Sequence, residues 1–167
     1  MTTRKMSRSA IVLFACLLGG CAADDGPRDA CELITAEELT AITGVTLVPK
    51  PEPHGDTAST CTYWDEATNI DWFAVQVAWQ GGRTEWQQWN AATKGAARMI
   101  EHEEPDVDVA DIVSIGPVAG LGDRARYSGL LGGFVLKDDT LLWFKFGMLP
   151  KPERHFRPLA LKALEKL

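Results

Sequence analysis

The first twenty residues form a segment that is distinct from the rest of the chain, and they limit which part of it can fold. Arg4, Lys5 and Arg8 supply positive charge without any acid, and nine consecutive apolar residues follow from Ala10 to Leu18. Because a membrane-spanning helix needs about 20 apolar residues, this run is too short to cross a bilayer. A basic start with a short apolar run is typical of a secretory signal. We therefore expect residues 1–20 to be removed as a signal peptide.

The end of this segment reads Leu18-Gly19-Gly20-Cys21, which resembles the lipobox of bacterial lipoproteins. In that family a peptidase cuts before the cysteine, whose thiol already carries a diacylglyceryl group. The resemblance implies a lipid on Cys21 with fatty acyl chains such as palmitate. Two or more acyl chains hold a protein stably at a membrane, so the mature chain is expected to be lipid-anchored. The alternative is an ordinary signal peptide with an incidental cysteine.

The residues after the lipobox predict where the domain lies. Residues 21–30 are polar without apolar periodicity and are expected to form a lipidated flexible tether, followed by a single globular domain over residues 31–167. In bacteria with two membranes, sorting depends on the residue after the lipidated cysteine. Here it is Ala22 rather than Asp, which implies delivery to the outer membrane. The expected location is the bacterial cell envelope.

Charge narrows the class of partner. Without residues 1–20 the chain has 14 basic and 23 acidic side chains, a net charge of −9. This sign argues against nucleic acid as a partner. The expected partners are the membrane, through the N-terminal lipid, and either an envelope protein or a small ligand.

Two cysteines remain for the domain once Cys16 leaves with the signal and Cys21 carries lipid. An even pair in an exported protein predicts a disulfide between Cys31 and Cys61. A metal pair or two free thiols are the alternatives, but neither has supporting His or Cys residues nearby. Closing this loop would stabilise the fold by roughly 3–4 kcal/mol in the chain-entropy model.

Capping signals predict the helices. Thr35 and Glu38 form a capping box that opens a first helix over 36–43. A second box, Thr84-Glu85-Trp86-Gln87, predicts the start of the longest helix, whose buried stripe is expected to contain Trp86, Trp89, Thr93, Ala96, Ala97 and Ile100. A C-terminal helix is indicated between Phe156 and Leu167, with Pro158 expected in its first turn because an interior proline costs about 3 kcal/mol.

Alternating apolar residues predict the strands. Residues 61–64 and 72–79 are expected to form a hairpin, preceded by an irregular extended passage through Pro49, Pro51 and Pro53. Further strands are expected at 107–115, 123–128, 133–137 and 141–146. The elements do not alternate strictly between strand and helix. The sequence therefore predicts an α+β fold with a mainly antiparallel sheet, helices packed on one face and one disulfide.

Several short motifs carry a family resemblance. The opening Cys31-Glu32-Leu33-Ile34-Thr35, the pair Cys61-Thr62 followed by Tyr63, and the turn Gly120-Leu121-Gly122-Asp123 resemble a family of uncharacterised small envelope lipoproteins, best known in actinobacteria. Its opening reads Cys-x-Leu-Leu-Thr/Ser, so Ile34 departs from it. The resemblance implies a PsbP-like fold and carries no catalytic residues.

The sequence contains no complete catalytic motif. His102-Glu103-Glu104-Pro105-Asp106 begins like a zinc-binding helix but has Asp106 at its fifth position and a helix-breaking proline. The acidic run from Glu101 to Asp111 lacks the glycine and final glutamate of a calcium loop and is expected to be a solvated loop. We therefore predict a non-enzymatic protein without metal or cofactor. An envelope hydrolase with dispersed catalytic residues and a carrier of an apolar molecule are the alternatives.

Six tryptophans are many for so small a domain, and two of them are candidates for a binding surface. Trp79, Trp86 and Trp89 have the spacing of core residues. Trp72 and Trp143 lie on the opposite strand faces from the expected core. They are therefore either covered by a helix or exposed in a groove that binds a ligand.

Overall fold

The computed structural model describes residues 29–103 and 116–167, and together they build one antiparallel sheet with helices. The helices in these residues are α1 (Ala30–Leu33), α2 (Ala36–Thr43), α3 (Gly82–Glu103) and α4 (Pro152–Leu164). The strands are β1 (Val48–His54), β2 (Ala58–Asp65), β3 (Ile70–Ala78), β4 (Gly116–Pro117), β5 (Arg124–Ser128), β6 (Gly132–Lys137) and β7 (Thr140–Phe146).

The strand order is β1-β2-β3-β7-β6-β5-β4, and every neighbouring pair is antiparallel. The predicted α+β fold with an antiparallel sheet and a disulfide is therefore confirmed. Strands from both sides of the undescribed residues 104–115 share this one sheet. The predicted strand at 107–115, most of the acidic run, the signal segment and Cys21 lie outside the described residues.

One face of the sheet, which we call the core face, is packed under three helices. Side chains alternate along a strand, so every second residue points to this face. The fully buried strand residues here include Cys61, Tyr63, Val75, Leu142 and Phe144. They pack against α1, α2 and α4, whose buried residues Leu33, Leu39, Phe156 and Leu159 complete the same core.

The long helix α3 lies on the other face, which differs from the expectation that all helices share one face. Trp86 is only 5% exposed and packs in a second apolar cluster with Phe134 and Leu141, which alternate with core-face residues. Because α3 contacts β6 and β7, it covers only the half of this face that carries apolar side chains. The other half, over β1, β2 and β3, has no helix of the described part packed on it.

The N-terminal end of the domain is fixed to the core face. The disulfide joins Cys31 to the buried Cys61 with their Cα atoms 4.9 Å apart. The Asp29 side chain caps α1, and the buried Ala30 N–H donates to Ser59 Oγ at 3.0 Å. Asp29 and Ala30 are therefore held by hydrogen bonds beside the disulfide.

The two predicted capping boxes have different outcomes. The box of Thr35 and Glu38 is present, and α2 spans the predicted residues. The second box does not start α3, which begins at Gly82 rather than after Thr84. Instead, the Asp139 carboxylate accepts hydrogen bonds from the backbone N–H groups of Gly81 and Arg83, at 2.8 and 3.1 Å. The cap comes from the β6–β7 turn, 56 residues or more along the chain.

Prolines account for two further differences. The segment with Pro49, Pro51 and Pro53 is not irregular but forms the edge strand β1, where alternate N–H groups are not needed for pairing. Pro158 lies inside α4 rather than in its first turn, because the helix already begins at Pro152. Pro158 is exposed, so water can solvate the carbonyl that its missing N–H leaves unbonded. No helix in the described part of the chain is both long and apolar enough to cross a membrane.

Candidate functional site

A groove runs along the half of the second face on which no described helix packs. Its volume is about 570 Å³, and seven of its ten lining residues have polar or charged side chains; the lining consists of Glu52, His54, Thr60, Thr62, Asp71, Phe73, Ala74, Gln76, Lys145 and Gly147. We call it the polar groove. Small side chains of β2 and β3 form its floor, and longer side chains of the flanking strands form its walls.

The strand register explains this shape. One cross-strand row reads Glu52, Thr60, Gln76 and Trp143, and the next reads Lys50, Thr62, Ala74 and Lys145. Thr60 and Thr62 are 8% and 9% exposed, because the longer neighbours in both rows overhang them. Neighbouring strands are about 4.8 Å apart, so β1 and β7 stand roughly 14 Å from each other across the floor.

Lys145 is the cation of the groove. Its Nζ donates to Gln76 Oε1 at 2.7 Å and lies 4.1 Å from the centre of the Trp143 ring. Burial lowers the pKa of the Lys145 ammonium group below the usual value, and the Glu52 carboxylate opposes this only in part. Among the described residues no carboxylate lies within the 4.0 Å of an ion pair with Nζ. Lys145 thus holds a partly desolvated charge whose protein contacts are an amide and a ring.

The opposite wall comes from β1. The His54 ring nitrogen Nε2 lies 3.0 Å from Thr60 Oγ1. Glu52 pairs with Lys50 at 3.6 Å, but both side chains are well exposed, at 41% and 64%. Such a surface pair contributes about 0–1 kcal/mol, so Glu52 can exchange this partner for a ligand at little cost.

The groove offers hydrogen-bonding groups of every kind. Hydroxyl groups line the floor, an amide and an ammonium group lie on one side, and carboxylates lie at β1 and at Asp71. No cluster of three or more possible metal-ligating side chains occurs among the described residues. The arrangement suits binding of a polar molecule through several directed hydrogen bonds.

The two tryptophans proposed as a binding surface lie on different faces. Tyr63 pairs with Phe73 and Trp64 pairs with Asp71, so Trp72 is the extra residue of a β-bulge. It packs against the core-face cluster, and its indole N–H is buried without a hydrogen-bond partner within the described structure.

Trp143 lies between the groove and α3. Its ring is 4.6 Å from the Trp89 ring and 5.3 Å from the Phe134 ring, and its indole N–H donates to the Leu131 carbonyl at 2.7 Å. The Trp143 ring therefore packs against the Lys145 ammonium group and against α3. A role of either tryptophan in binding stays a prediction.

The main groove residues were not singled out in the sequence. Glu52, Gln76 and Lys145 lie on three different strands, and no short motif joins them. A usable signal was present, since small residues at 60, 62 and 74 alternate with core residues while long polar residues occupy 50, 52 and 54. Without the register, however, these segments could not be aligned.

Comparison with known proteins adds no relative. No family model, no curated protein and no solved structure matches this chain.

Proposed function

We propose that this protein is a non-enzymatic, lipid-anchored lipoprotein of the bacterial envelope that binds a small polar ligand in the polar groove. The supporting observation is the half-face that no described helix covers, where Lys145, which has no carboxylate within ion-pair distance among the described residues, shares a groove with the hydroxyl groups of Thr60 and Thr62. The lipobox resemblance at Cys21 supports the anchor.

The position of the anchor is compatible with an accessible groove. Asp29 directly precedes α1, which packs on the core face against β2 and β3. The groove opens on the other face. From Cys21 to Asp29 the chain can span at most about 28 Å, so the domain would stay near the membrane. The tether would join the domain on the core face, and the groove would remain open on the other face.

The polar side chains of the groove favour binding of a polar ligand over the alternative function of carrying an apolar molecule. Most of the groove's lining side chains are polar, and burying them against an apolar molecule would leave hydroxyl, amide and charged groups without partners. A polar ligand would satisfy them.

The contact between His54 and Thr60 favours a hydrolase as the second candidate. A histidine within hydrogen-bond distance of a hydroxyl is the first element of an activated nucleophile. A third group that orients the histidine completes such sites, and in the described residues no carboxylate is bonded to His54. His54→Gln should therefore keep ligand binding within a few-fold, whereas loss of a hydrolytic activity in this variant would favour the enzyme.

A thermal-shift experiment tests the proposal. The mature lipidated protein is melted with and without the low-molecular-mass fraction of an envelope extract, because a ligand that binds only the folded state raises the melting temperature. Ala74→Phe fills the floor of the groove, and Ala92→Phe on the exposed side of α3 is the matched control. We expect stabilisation of the wild type and of Ala92→Phe but not of Ala74→Phe. Equal shifts in all three proteins, or none in the wild type, would contradict the proposal.

A further inference from the structure

The charges of the polar groove indicate the class of its ligand. Lys145 stands on one side, Glu52 on the other and Asp71 at one end, with His54 beside Glu52 and the exposed Lys50 next to it on β1. A groove with one sign of charge would attract a simple anion or cation. This one presents both signs on facing walls.

Lys145 would form a stronger hydrogen bond with an anionic ligand group than with a neutral one. Its ammonium group is half-buried, donates to the neutral Gln76 amide and rests on the Trp143 ring. An ammonium group has three donors, and hydrogen bonds to charged acceptors are about twice as strong as neutral ones. A ligand carboxylate entering the groove would therefore gain a charge-assisted bond.

Glu52 is the anionic group on the opposite wall of the groove from Lys145. Its carboxylate is near enough to Lys145 to act on its charge, yet the two groups are not ion-paired. The space between them lies over Thr60 and Thr62, whose hydroxyl groups can bond to amide or hydroxyl groups in the middle of a ligand. The protein as a whole is strongly acidic, which disfavours a ligand that is only anionic, while Lys145 disfavours one that is only cationic.

We propose that the polar groove binds a zwitterionic ligand, an amino acid or short peptide, with its carboxylate at Lys145 and its ammonium group at Glu52. This inference rests on the proposed function and specifies the ligand for the same groove. The extended backbone advances about 3.3–3.6 Å per residue. Two or three extended residues therefore cover roughly 7–11 Å, which fits within the roughly 14 Å between β1 and β7.

Matched peptide libraries separate the two ends of the ligand. The mature protein is titrated with a mixture of free dipeptides, the same mixture N-acetylated, the same mixture C-amidated, and a neutral disaccharide. Binding is followed by the melting temperature and by calorimetry. We expect free dipeptides to bind roughly tenfold or more tightly than either blocked mixture, because each block removes one charged hydrogen bond.

Charge-neutral variants then assign each end. Lys145→Met should abolish the preference for free over amidated peptides, and Glu52→Gln should abolish the preference for free over acetylated ones. Lys137→Met is the control, since it removes an exposed, ion-paired lysine on β6 that does not line the groove, and it should keep both preferences.

The outcomes distinguish this inference from the function on which it rests. Three results would overturn the proposal of a zwitterionic ligand and still leave the groove as a binding site. They are preferred binding of the disaccharide, equal binding of free and blocked peptides, and no peptide binding while the envelope fraction still stabilises the protein. Absence of any stabilisation, by extract or by peptides, would overturn both.

Discussion

Lys166 near the end of the chain donates a hydrogen bond of 2.6 Å to the Glu38 carboxylate in the first turn of α2, across 128 positions of sequence. The same carboxylate accepts the backbone N–H of Thr35 and so completes the capping box. Burial alone would raise the pKa of Glu38, but the bonds from Lys166 and Thr35 outweigh it and the pKa lies below the ordinary value. The contact joins α2 to the residues that follow α4.

Acid should therefore weaken this junction in a defined direction. A carboxyl group whose pKa is lower in the folded state contributes stability above its unfolded pKa of about 4.5, and this stability is lost as the pH falls through the folded pKa. Glu38→Gln keeps an acceptor for the cap but removes the charge. We expect the wild type to lose about 1 kcal/mol more than Glu38→Gln between pH 6 and pH 3 in urea unfolding. Glu32→Gln, at an exposed position of α1, is the control for removing one carboxylate and should lose as much stability as the wild type over this pH range. Parallel curves for all three proteins would oppose this account.

The disulfide should stabilise the domain through the loop it closes. Cys31 and Cys61 are 30 residues apart, and Cys61 is fully buried under α1. Replacing both by Ala should lower the free energy of unfolding by roughly 3–4 kcal/mol, which for a domain of this size lowers the melting temperature by about 10 °C. Calorimetry of the double variant beside the oxidised wild type gives this number. A melting temperature within 2 °C of the wild type would show that the bond is dispensable.

The edge strand β1 should resist pairing with another copy. In an antiparallel pair, N–H groups point alternately to the partner strand and to the outer edge. Prolines occupy 49, 51 and 53 in β1, so those outward positions carry no N–H group. Pro51→Val should restore one outward donor and increase self-association, measured by light scattering at high concentration. His54→Val adds the same side chain at a β1 position whose N–H points to β2, without removing an edge lysine, and it should not associate more than the wild type.

The predicted anchor is tested at Cys21. Because the lipoprotein peptidase needs the acylated thiol beside small residues, Cys21→Ala should leave the precursor uncleaved and without acyl label. Metabolic labelling with a fatty acid and mass spectrometry of the N-terminus measure this. Cys16→Ala removes the other cysteine of the same segment and should be processed normally. Labelling or normal cleavage of Cys21→Ala would exclude the lipoprotein assignment.

Local signals in the sequence accounted for much of the fold. The α2 caps, the β2–β3 alternation and the cysteine pair depend on neighbouring residues or on a simple count, and they were predictable. The start of α3 was not, because its cap is Asp139, a residue distant in sequence. Trp72 was assigned by strict alternation, which is interrupted because Trp72 is itself the extra residue of the bulge opposite Tyr63 and Trp64.

The candidate site was less accessible to sequence reasoning. The groove exists because β1, β2, β3 and β7 align Glu52, Thr60 and Gln76 in one row and Thr62, Ala74 and Lys145 in the next. A shift of one residue in any strand would send its side chains to the core face. Register between distant strands is set by tertiary packing, so the constellation emerges only in the folded structure.

Chemical-shift mapping by NMR tests most directly whether the polar groove is the ligand site. The uniformly ¹⁵N-labelled mature domain is titrated with the low-molecular-mass envelope fraction, and changes in backbone and side-chain amide signals are assigned. We predict that the largest changes fall on Glu52, Thr60, Thr62 and Lys145 and on the Gln76 side-chain amide, with α2 and α4 unchanged. Changes confined to the core-face helices or to Trp72, or a spectrum that does not change, would contradict it.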